Sequence, residues 1–308
     1  MFGDELSYVA LVVNDVDAAS KVFGDCLELS RTDLDADGEK IPVFAVGKSA
    51  LAVFPIGHSY VDGAPKTGVH HIAIASKNLE DGLATAKQAG VSSQGGPRAS
   101  LGGGQRIALD PASTASVRTW ITTGLSMKPS RSSHVERIDH LGIASADNQV
   151  AVDAWTRRLG RPLESQQTDM EVSIAVESFT SDKYGVVYHS RHPEPIGGLR
   201  VSFITVGDCD LEFLQNFDPR HGAHVDAAQA GTTRQDQGAI TKFIASRGAG
   251  LHHVAFKAPD INRTLATLHK AGIPVIDQVG RPGSRRGLIG FVNPKGTGGV
   301  LVHFVQRD

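Results

Sequence analysis

The sequence predicts an α+β fold in which four βαβββ modules pair into two tandem domains. Three observations predict it: a strand-like segment occurs four times, a helix-like stretch follows each copy, and shorter β-like runs complete each unit. The four copies of the strand are Leu6–Val13, Val69–Ser76, Ile138–Ser145 and Leu251–Ala258. Because internal self-similarity is the mark of a repeat architecture, this repeat defines the fold before any other feature does.

The helix that follows each repeated strand begins at Asp or Asn. The predicted helices are Asp15–Leu27, Asn78–Ala89, Asn148–Leu159 and Asp260–Ala271. An Asp or Asn side chain at the start caps free backbone N–H groups, and a glycine after the end suits the left-handed turn that stops a helix. Gly90, Gly160 and Gly272 follow the last three helices.

Shorter runs rich in Val, Ile and Phe supply the remaining strands of the modules. They are Ile41–Val46, Ala50–Phe54, Glu171–Val176, Leu199–Val206, Asp210–Gln215, Leu288–Asn293 and Gly299–Gln306. Two modules make one domain, because a single small curved sheet cannot bury its own inner face. We therefore expect two curved open mixed sheets, or half-barrels, flanked by helices. Residues 1–125 form the first domain, residues 134–308 the second, and the polar stretch 126–133 the linker.

The composition excludes several classes of protein. The net charge of −2 carries no electrostatic footprint for nucleic acid, and no apolar run approaches the roughly 20 residues that span a bilayer. The N-terminus lacks the layout of a signal peptide, so we expect a cytoplasmic protein. We expect its partner to be a small-molecule substrate. With two cysteines there is no disulfide framework and no zinc knuckle. The sequence does not decide whether the protein forms a homodimer.

Four polar residues of the C-terminal half stand at matching positions of the repeat. His140 and His253 share one position, Glu212 aligns with Ala52, and His303 lies in an otherwise apolar strand. The N-terminal half has Tyr8, Ala52, His71 and Trp120 at the same places. Three imidazoles and one carboxylate suit one divalent ion among Zn, Co, Ni, Mn and Fe, whereas the N-terminal set cannot hold a metal.

Other histidines receive a structural interpretation. His71 lacks ligand partners in its own domain. Strand alternation predicts that the side chains of His70 and His252 lie on the strand face opposite to that of His71 and His253. A long loop at about residues 216–235 carries His221 and His224. Loops of this length are functional lids or mobile segments.

The fourfold pattern resembles the vicinal oxygen chelate superfamily, which includes glyoxalases, bleomycin resistance proteins and extradiol dioxygenases. The segments Ile240–Phe256 and Phe291–Val302 are similar to the metal-histidine strand and closing hairpin of methylmalonyl-CoA epimerase. The resemblance implies that His140, Glu212 and His253 are metal ligands. In the last ligand position, where that family has a Glu, this chain has His303.

The resemblance implies a metal-dependent isomerase, epimerase or lyase that stabilises an enolate or oxyanion of a small carbonyl or acyl-CoA substrate. The alternatives are an Fe(II)-dependent dioxygenase of extradiol or 2-oxo acid type and a non-catalytic binding or resistance protein. The candidates for proton transfer are His303, Tyr188 and His189, with His221 and His224 of the long loop. Arg285 and Arg286 are candidates to bind a substrate anion, with Arg281 nearby; a solvated turn is the alternative.

Overall fold

The computed structural model describes residues 3–128, 130–173, 176–190, 192, 194–217 and 237–307. The strands of the first unit are β1 (Glu5–Val13), β2 (Arg31–Ala36), β3 (Glu39–Val46), β4 (Ser49–Pro55), β5 (Gly68–Ala75), β6 (Ser93–Ala99), β7 (Gln105–Leu109) and β8 (Thr119–Thr122). Those of the second are β9 (Arg137–Ala144), β10 (Leu163–Ser173), β11 (Val176–Ser181), β12 (Gly185–Ser190), β13 (Glu194–Val206), β14 (Cys209–Phe217), β15 (Gly250–Lys257), β16 (Arg281–Pro282), β17 (Leu288–Val292) and β18 (Leu301–Gln306).

The helices are α1 (Val16–Ser20), α2 (Leu79–Gln88), α3 (Asn148–Val152), α4 (Gln237–Arg247) and α5 (Ile261–Lys270). A π-helical turn extends α1 over Lys21–Cys26 and another extends α3 over Asp153–Arg158. Side chains of Asp15, Asn78, Asp147 and Asp260 cap the repeat helices. Gly90, Gly160 and Gly272 have positive φ where α2, the extended α3 and α5 end, as the sequence predicts.

Two eight-stranded sheets repeat one topology, which confirms the predicted fold class. The first has the order β2-β3-β4-β1-β5-β8-β7-β6, and the second has the order β10-β13-β14-β9-β15-β18-β17-β16. In each, the two repeated strands pair antiparallel at the centre, and each has a parallel partner on its outer side. The strands β11 and β12 form a separate hairpin between β10 and β13.

The largest apolar core contains side chains from both units. Phe23 of the first unit packs against Phe256 of the second, with ring centroids 6.4 Å apart. Trp155 is fully buried, and its indole N–H donates to the carbonyl of Thr114 at 3.0 Å. This shared core leaves the inner face of each half-barrel as a separate environment. No helix of the described residues is long and apolar enough to cross a membrane.

Candidate metal centre

Four strands at the middle of the second sheet carry the four predicted ligands. His140 lies on β9, Glu212 on β14, His253 on β15 and His303 on β18. The strand register sets Glu212 opposite Gly142, and it sets His303 opposite Ala255. All four side chains are buried. Residues that are up to 163 positions apart therefore meet inside one half-barrel.

The ligand atoms converge on one point. Nε2 of His140 is 3.0 Å from Nε2 of His303 and 3.3 Å from Oε2 of Glu212. Nε2 of His253 is 3.6 Å from the same carboxylate oxygen. One ring nitrogen from each of the three histidines lies within 4.8 Å of the others.

These distances fit a divalent metal. Bonds of about 2.1 Å to nitrogen or oxygen, at angles between octahedral and tetrahedral, place neighbouring ligand atoms about 3.0 to 3.4 Å apart. The separations of 3.0 and 3.3 Å agree with this spacing, and that of 3.6 Å is slightly longer. The role of these residues as metal ligands remains a prediction, but the donor set and its geometry suit the ion.

Two of the histidines have a polar partner on the ring nitrogen that faces away from the centre. Nδ1 of His140 donates to Asp139 at 2.9 Å, and Nδ1 of His253 lies 3.0 Å from Nδ1 of His252. Asp139 is fully buried and also accepts from Arg307 at 3.0 Å and Arg137 at 3.3 Å. Such outer partners orient a metal ligand and decide which nitrogen carries its proton.

A β-bulge and a glycine determine where the ring of His253 lies. The register between β15 and β9 shifts between Leu251 and His253, so strict alternation fails at His252. The ring of His252 therefore contacts His253, which differs from the expectation that it points away. A Cβ on Gly142 would come within 2.0 Å of the His253 ring, so this position admits glycine alone.

The buried charges stabilise one another. Burial opposes a charge on His140, but Glu212 and Asp139 outweigh it and raise the pKa of His140 to about 9. Burial raises the pKa of Glu212, yet His140 and His253 hold it well below its usual value. Burial, with His253 and His140, lowers the pKa of His303, and that ring is neutral. These shifts favour an ion pair between His140 and Glu212 when no metal is bound.

The first half-barrel is filled instead by aromatic rings. His71 stacks on Trp120 with centroids 3.4 Å apart, and Tyr8 shares a hydrogen bond of 2.8 Å with Tyr60. The guanidinium of Arg106 lies 3.5 Å from the Tyr60 ring centroid and 3.9 Å from that of Trp120. The register sets Ala52 opposite Ala10, the position that corresponds to Glu212 and Gly142. This interior offers no carboxylate where the other has Glu212.

Arg285 lies among acidic side chains near the second site. It contacts Asp210 at 2.7 Å and Glu164 at 3.2 Å, and its guanidinium covers the Phe203 ring at 3.6 Å. Arg285 and Arg286 both adopt positive φ, and Arg286 is exposed. These ion pairs account for a buried charge on Arg285 without any substrate. Substrate binding by Arg285 or Arg286 therefore stays a prediction.

The other predicted residues lie on the separate hairpin, beside Phe291 at the edge of the cluster, or outside the described residues. Tyr188 and His189 are exposed on β12 of the separate hairpin. Arg281 contacts Asp277 at 3.2 Å and lies 5.4 Å from the Phe291 ring. His221 and His224 fall outside the described part of the chain.

Sequence reasoning did not single out Asp139 or Asp169. Asp139 directly precedes a predicted ligand, and the two consecutive polar residues in an apolar strand were the one signal for it. Asp169 lies on β10, where partial burial and the charge of Glu212 raise its pKa, although Gln167 opposes this. The strand register aligns Glu212 with Phe203 and Ser165, so Asp169 lies four residues further along β10, and no sequence pattern indicates its electrostatic interaction with Glu212.

Comparisons with known proteins agree with this architecture. Methylmalonyl-CoA epimerase of Mus musculus, a mitochondrial protein, is 27% identical over 130 residues, which cover 42% of this chain and 64% of the mouse protein. The alignment thus spans just under two thirds of that relative.

Two solved structures share the fold over nearly the whole chain. A mutant of 4-hydroxymandelate synthase from Streptomyces coelicolor has a TM-score of 0.67 at 15% identity, covering 100% of this chain and 94% of that one. The Mn(II)-bound glyoxalase from Novosphingobium aromaticivorans has a TM-score of 0.58 at 17% identity, covering 99% and 82%.

Two family models, both described as Glyoxalase/Bleomycin resistance protein/Dioxygenase superfamily, match residues 139–291 and 5–114. Together they include most of both half-barrels, without β8 and β18, and three of the four predicted ligands. The chain belongs to the Glyoxalase/Bleomycin resistance protein/Dioxygenase superfamily, which is the vicinal oxygen chelate superfamily.

Proposed function

We propose that this protein is a divalent-metal-dependent enzyme of the isomerase, epimerase or lyase type. Its substrate is a small carbonyl compound or an acyl-CoA that passes through an enolate or oxyanion. The observation that carries the proposal is the convergence of three imidazole nitrogens and one carboxylate oxygen inside the second half-barrel. The similarity to mouse methylmalonyl-CoA epimerase supports the substrate class.

The donor set would hold the metal through His140, Glu212, His253 and His303. A divalent ion bound there supplies Lewis-acid chemistry that polarises a carbonyl oxygen. Phe203 and Phe291 form apolar walls, since Phe291 lies 4.5 Å from the His303 ring and Phe203 lies 6.3 Å from the His140 ring. Apolar surroundings of this kind strengthen electrostatic interactions within a site.

A proton acceptor must stand beside the reacting carbon. His303 is neutral and can accept a proton at Nε2 if that nitrogen is not bound to metal. Tyr188 and His189 remain proposals that would require the β11–β12 hairpin to approach the site. Arg285 or Arg286 would bind an anionic part of the substrate.

A dioxygenase is the second candidate. His140, His253 and Glu212 contain the two-histidine, one-carboxylate set that non-haem Fe(II) oxygenases use. The added imidazole of His303 opposes this assignment, because four protein ligands on a six-coordinate ion leave two open positions. A bidentate substrate would fill both and leave none for O2. A non-catalytic binder requires no such ligand set.

Metal analysis tests the proposal directly. The protein is loaded with Zn, Co, Ni, Mn or Fe(II), dialysed, and its metal content measured. We expect about one ion per chain, with a large loss in Glu212→Gln and in His253→Ala. His71→Ala is the matched control, since it occupies the same repeat position in the first half-barrel and should leave the metal content unchanged. Full occupancy in both ligand variants would refute the ligand assignment.

The reaction type is tested on the loaded protein. Exchange of solvent deuterium into acyl-CoA or 2-oxo acid substrates is expected with Zn, Co, Ni or Mn, because proton abstraction next to a carbonyl precedes reprotonation from solvent. His303→Gln tests this candidate acceptor: loss of exchange with the bound metal retained supports proton transfer by His303, whereas loss of both reflects its role as a ligand. Oxygen consumption with Fe(II), without exchange, would instead establish the dioxygenase.

A further inference from the structure

We infer that His252 is a positioning residue, which accepts a hydrogen bond from His253 and so presents the opposite ring nitrogen of His253 to the metal. The two Nδ1 atoms lie 3.0 Å apart, and Nε2 of His253 faces Glu212 at 3.6 Å. The inference rests on the proposed metal centre and goes beyond it, because His252 is not one of the proposed ligands.

The direction of this hydrogen bond follows from the chemistry of imidazole. A neutral ring has one N–H, and the nitrogen that binds a cation must be the one without it. If Nε2 of His253 binds metal, then Nδ1 carries the proton and must donate it to the nearest acceptor. Nδ1 of His252 is that acceptor, so the proton of His252 resides on its own Nε2.

The surroundings hold His252 in this orientation. The bulge in β15 brings the ring of His252 beside His253, where strand alternation would have separated them. The Phe243 ring of α4 packs edge-to-face against His252, with centroids 4.8 Å apart. The ring of His252 in turn lies against His253, with centroids 5.2 Å apart.

The first half-barrel contains the same pair with the opposite hydrogen-bond direction. Nδ1 of His70 lies 2.8 Å from Nδ1 of His71, and the register of β5 against β1 shifts at the same place. Nε2 of His70, however, accepts from the Arg118 guanidinium at 2.7 Å. The proton of His70 must therefore be on Nδ1, which donates to His71.

This reversal leaves the proton of His71 on Nε2, the nitrogen that corresponds to the metal-binding one of His253. Within the described residues, that buried Nε2 has no hydrogen-bond partner. The proton positions of this histidine pair thus leave a lone pair for a cation in the second half-barrel and an N–H group in the first. In the first half-barrel, the guanidinium of Arg118 on the outer nitrogen of His70 sets this direction.

The experiment measures zinc affinity by competition with a chromophoric chelator at one fixed pH. His252→Leu should weaken zinc binding about 10- to 100-fold, as the loss of outer-shell partners does. His252→Asn places an amide oxygen near the position of Nδ1 and should keep the affinity within about threefold. His70→Leu is the matched control in the first half-barrel and should not change zinc affinity.

A second measurement reads the tautomers themselves. Long-range proton–nitrogen NMR correlations of the zinc-loaded wild type should show His253 protonated at Nδ1 and His252 at Nε2. This measurement decides the question even if His252→Leu does not fold. Wild-type affinity in a folded His252→Leu variant, or a proton on Nε2 of His253, would overturn the inference alone. Failure of the wild type to bind zinc would instead overturn the proposed metal centre and the inference with it.

Discussion

Gly142→Ala is the substitution for which the structure makes its sharpest prediction. The new Cβ would lie 2.0 Å from Cε1 and 2.3 Å from Nδ1 of His253, where ordinary contacts begin at 3.4 Å. The ring would have to retreat by about 1.4 Å, far beyond the ~0.2 Å that metal–ligand distances tolerate. We therefore expect zinc affinity to fall roughly 100-fold or more.

The same substitution should cost about 1–3 kcal/mol of unfolding free energy, because it overpacks a buried site. Gly290→Ala is the matched control in the same sheet: its Cβ would meet Cδ1 of Leu265 at 2.6 Å, on the side of the sheet that packs against α5. It should lower stability by a similar amount and leave zinc affinity intact. Zinc affinity by chelator competition and unfolding by urea are the assays. Wild-type zinc affinity in Gly142→Ala would refute the proposed position of His253.

Three further predictions concern other parts of the site and the fold. Asp139→Asn should weaken zinc binding about tenfold, since a neutral acceptor replaces the carboxylate that accepts from His140; an unchanged affinity in the folded variant would contradict this. The raised pKa of His140 means that zinc must displace a proton from this ring. The apparent zinc affinity should therefore rise about tenfold per pH unit from about pH 7 to about 9 and then level off. A zinc affinity that does not change with pH would exclude the ion pair. Trp120→Ala should cost about 3–5 kcal/mol in urea unfolding without loss of bound zinc, because the ring fills the metal-less interior.

The pH dependence of stability has a defined sign in the metal-free protein. Folding raises the pKa of His140 above its usual 6.5, so its contribution to stability is full below about pH 6.5 and is lost as the pH rises through about 9. Urea unfolding of metal-free protein across this range tests the prediction. Zinc should suppress the loss, because the bound ring is already unprotonated.

The internal repeat and the alternation of side chains along each strand explain which parts of the site were predictable. The repeat aligns His140 with His253 and Glu212 with Ala52, and strand pairing in the structure uses this same register. Alternation failed at His252, because a bulge inserts one residue into the pairing, and the sequence has no separate mark for it. The electrostatic interaction of Asp169 with Glu212 depends on strands that are neighbours only in the folded sheet.

The sequence by itself determined the repeated module, the boundaries of the four repeat helices and the identity of the four candidate ligands, whereas it did not indicate α4. Those features depend on local chemistry: capping side chains, glycines at helix ends and inward-facing positions with period two. The tertiary structure alone decided which nitrogen of each histidine faces the centre, that Gly142 leaves room for His253, and that Asp139 and His252 lie behind the ligands. Such features depend on distances of a few tenths of an ångström between strands remote in the chain, and no local pattern encodes them.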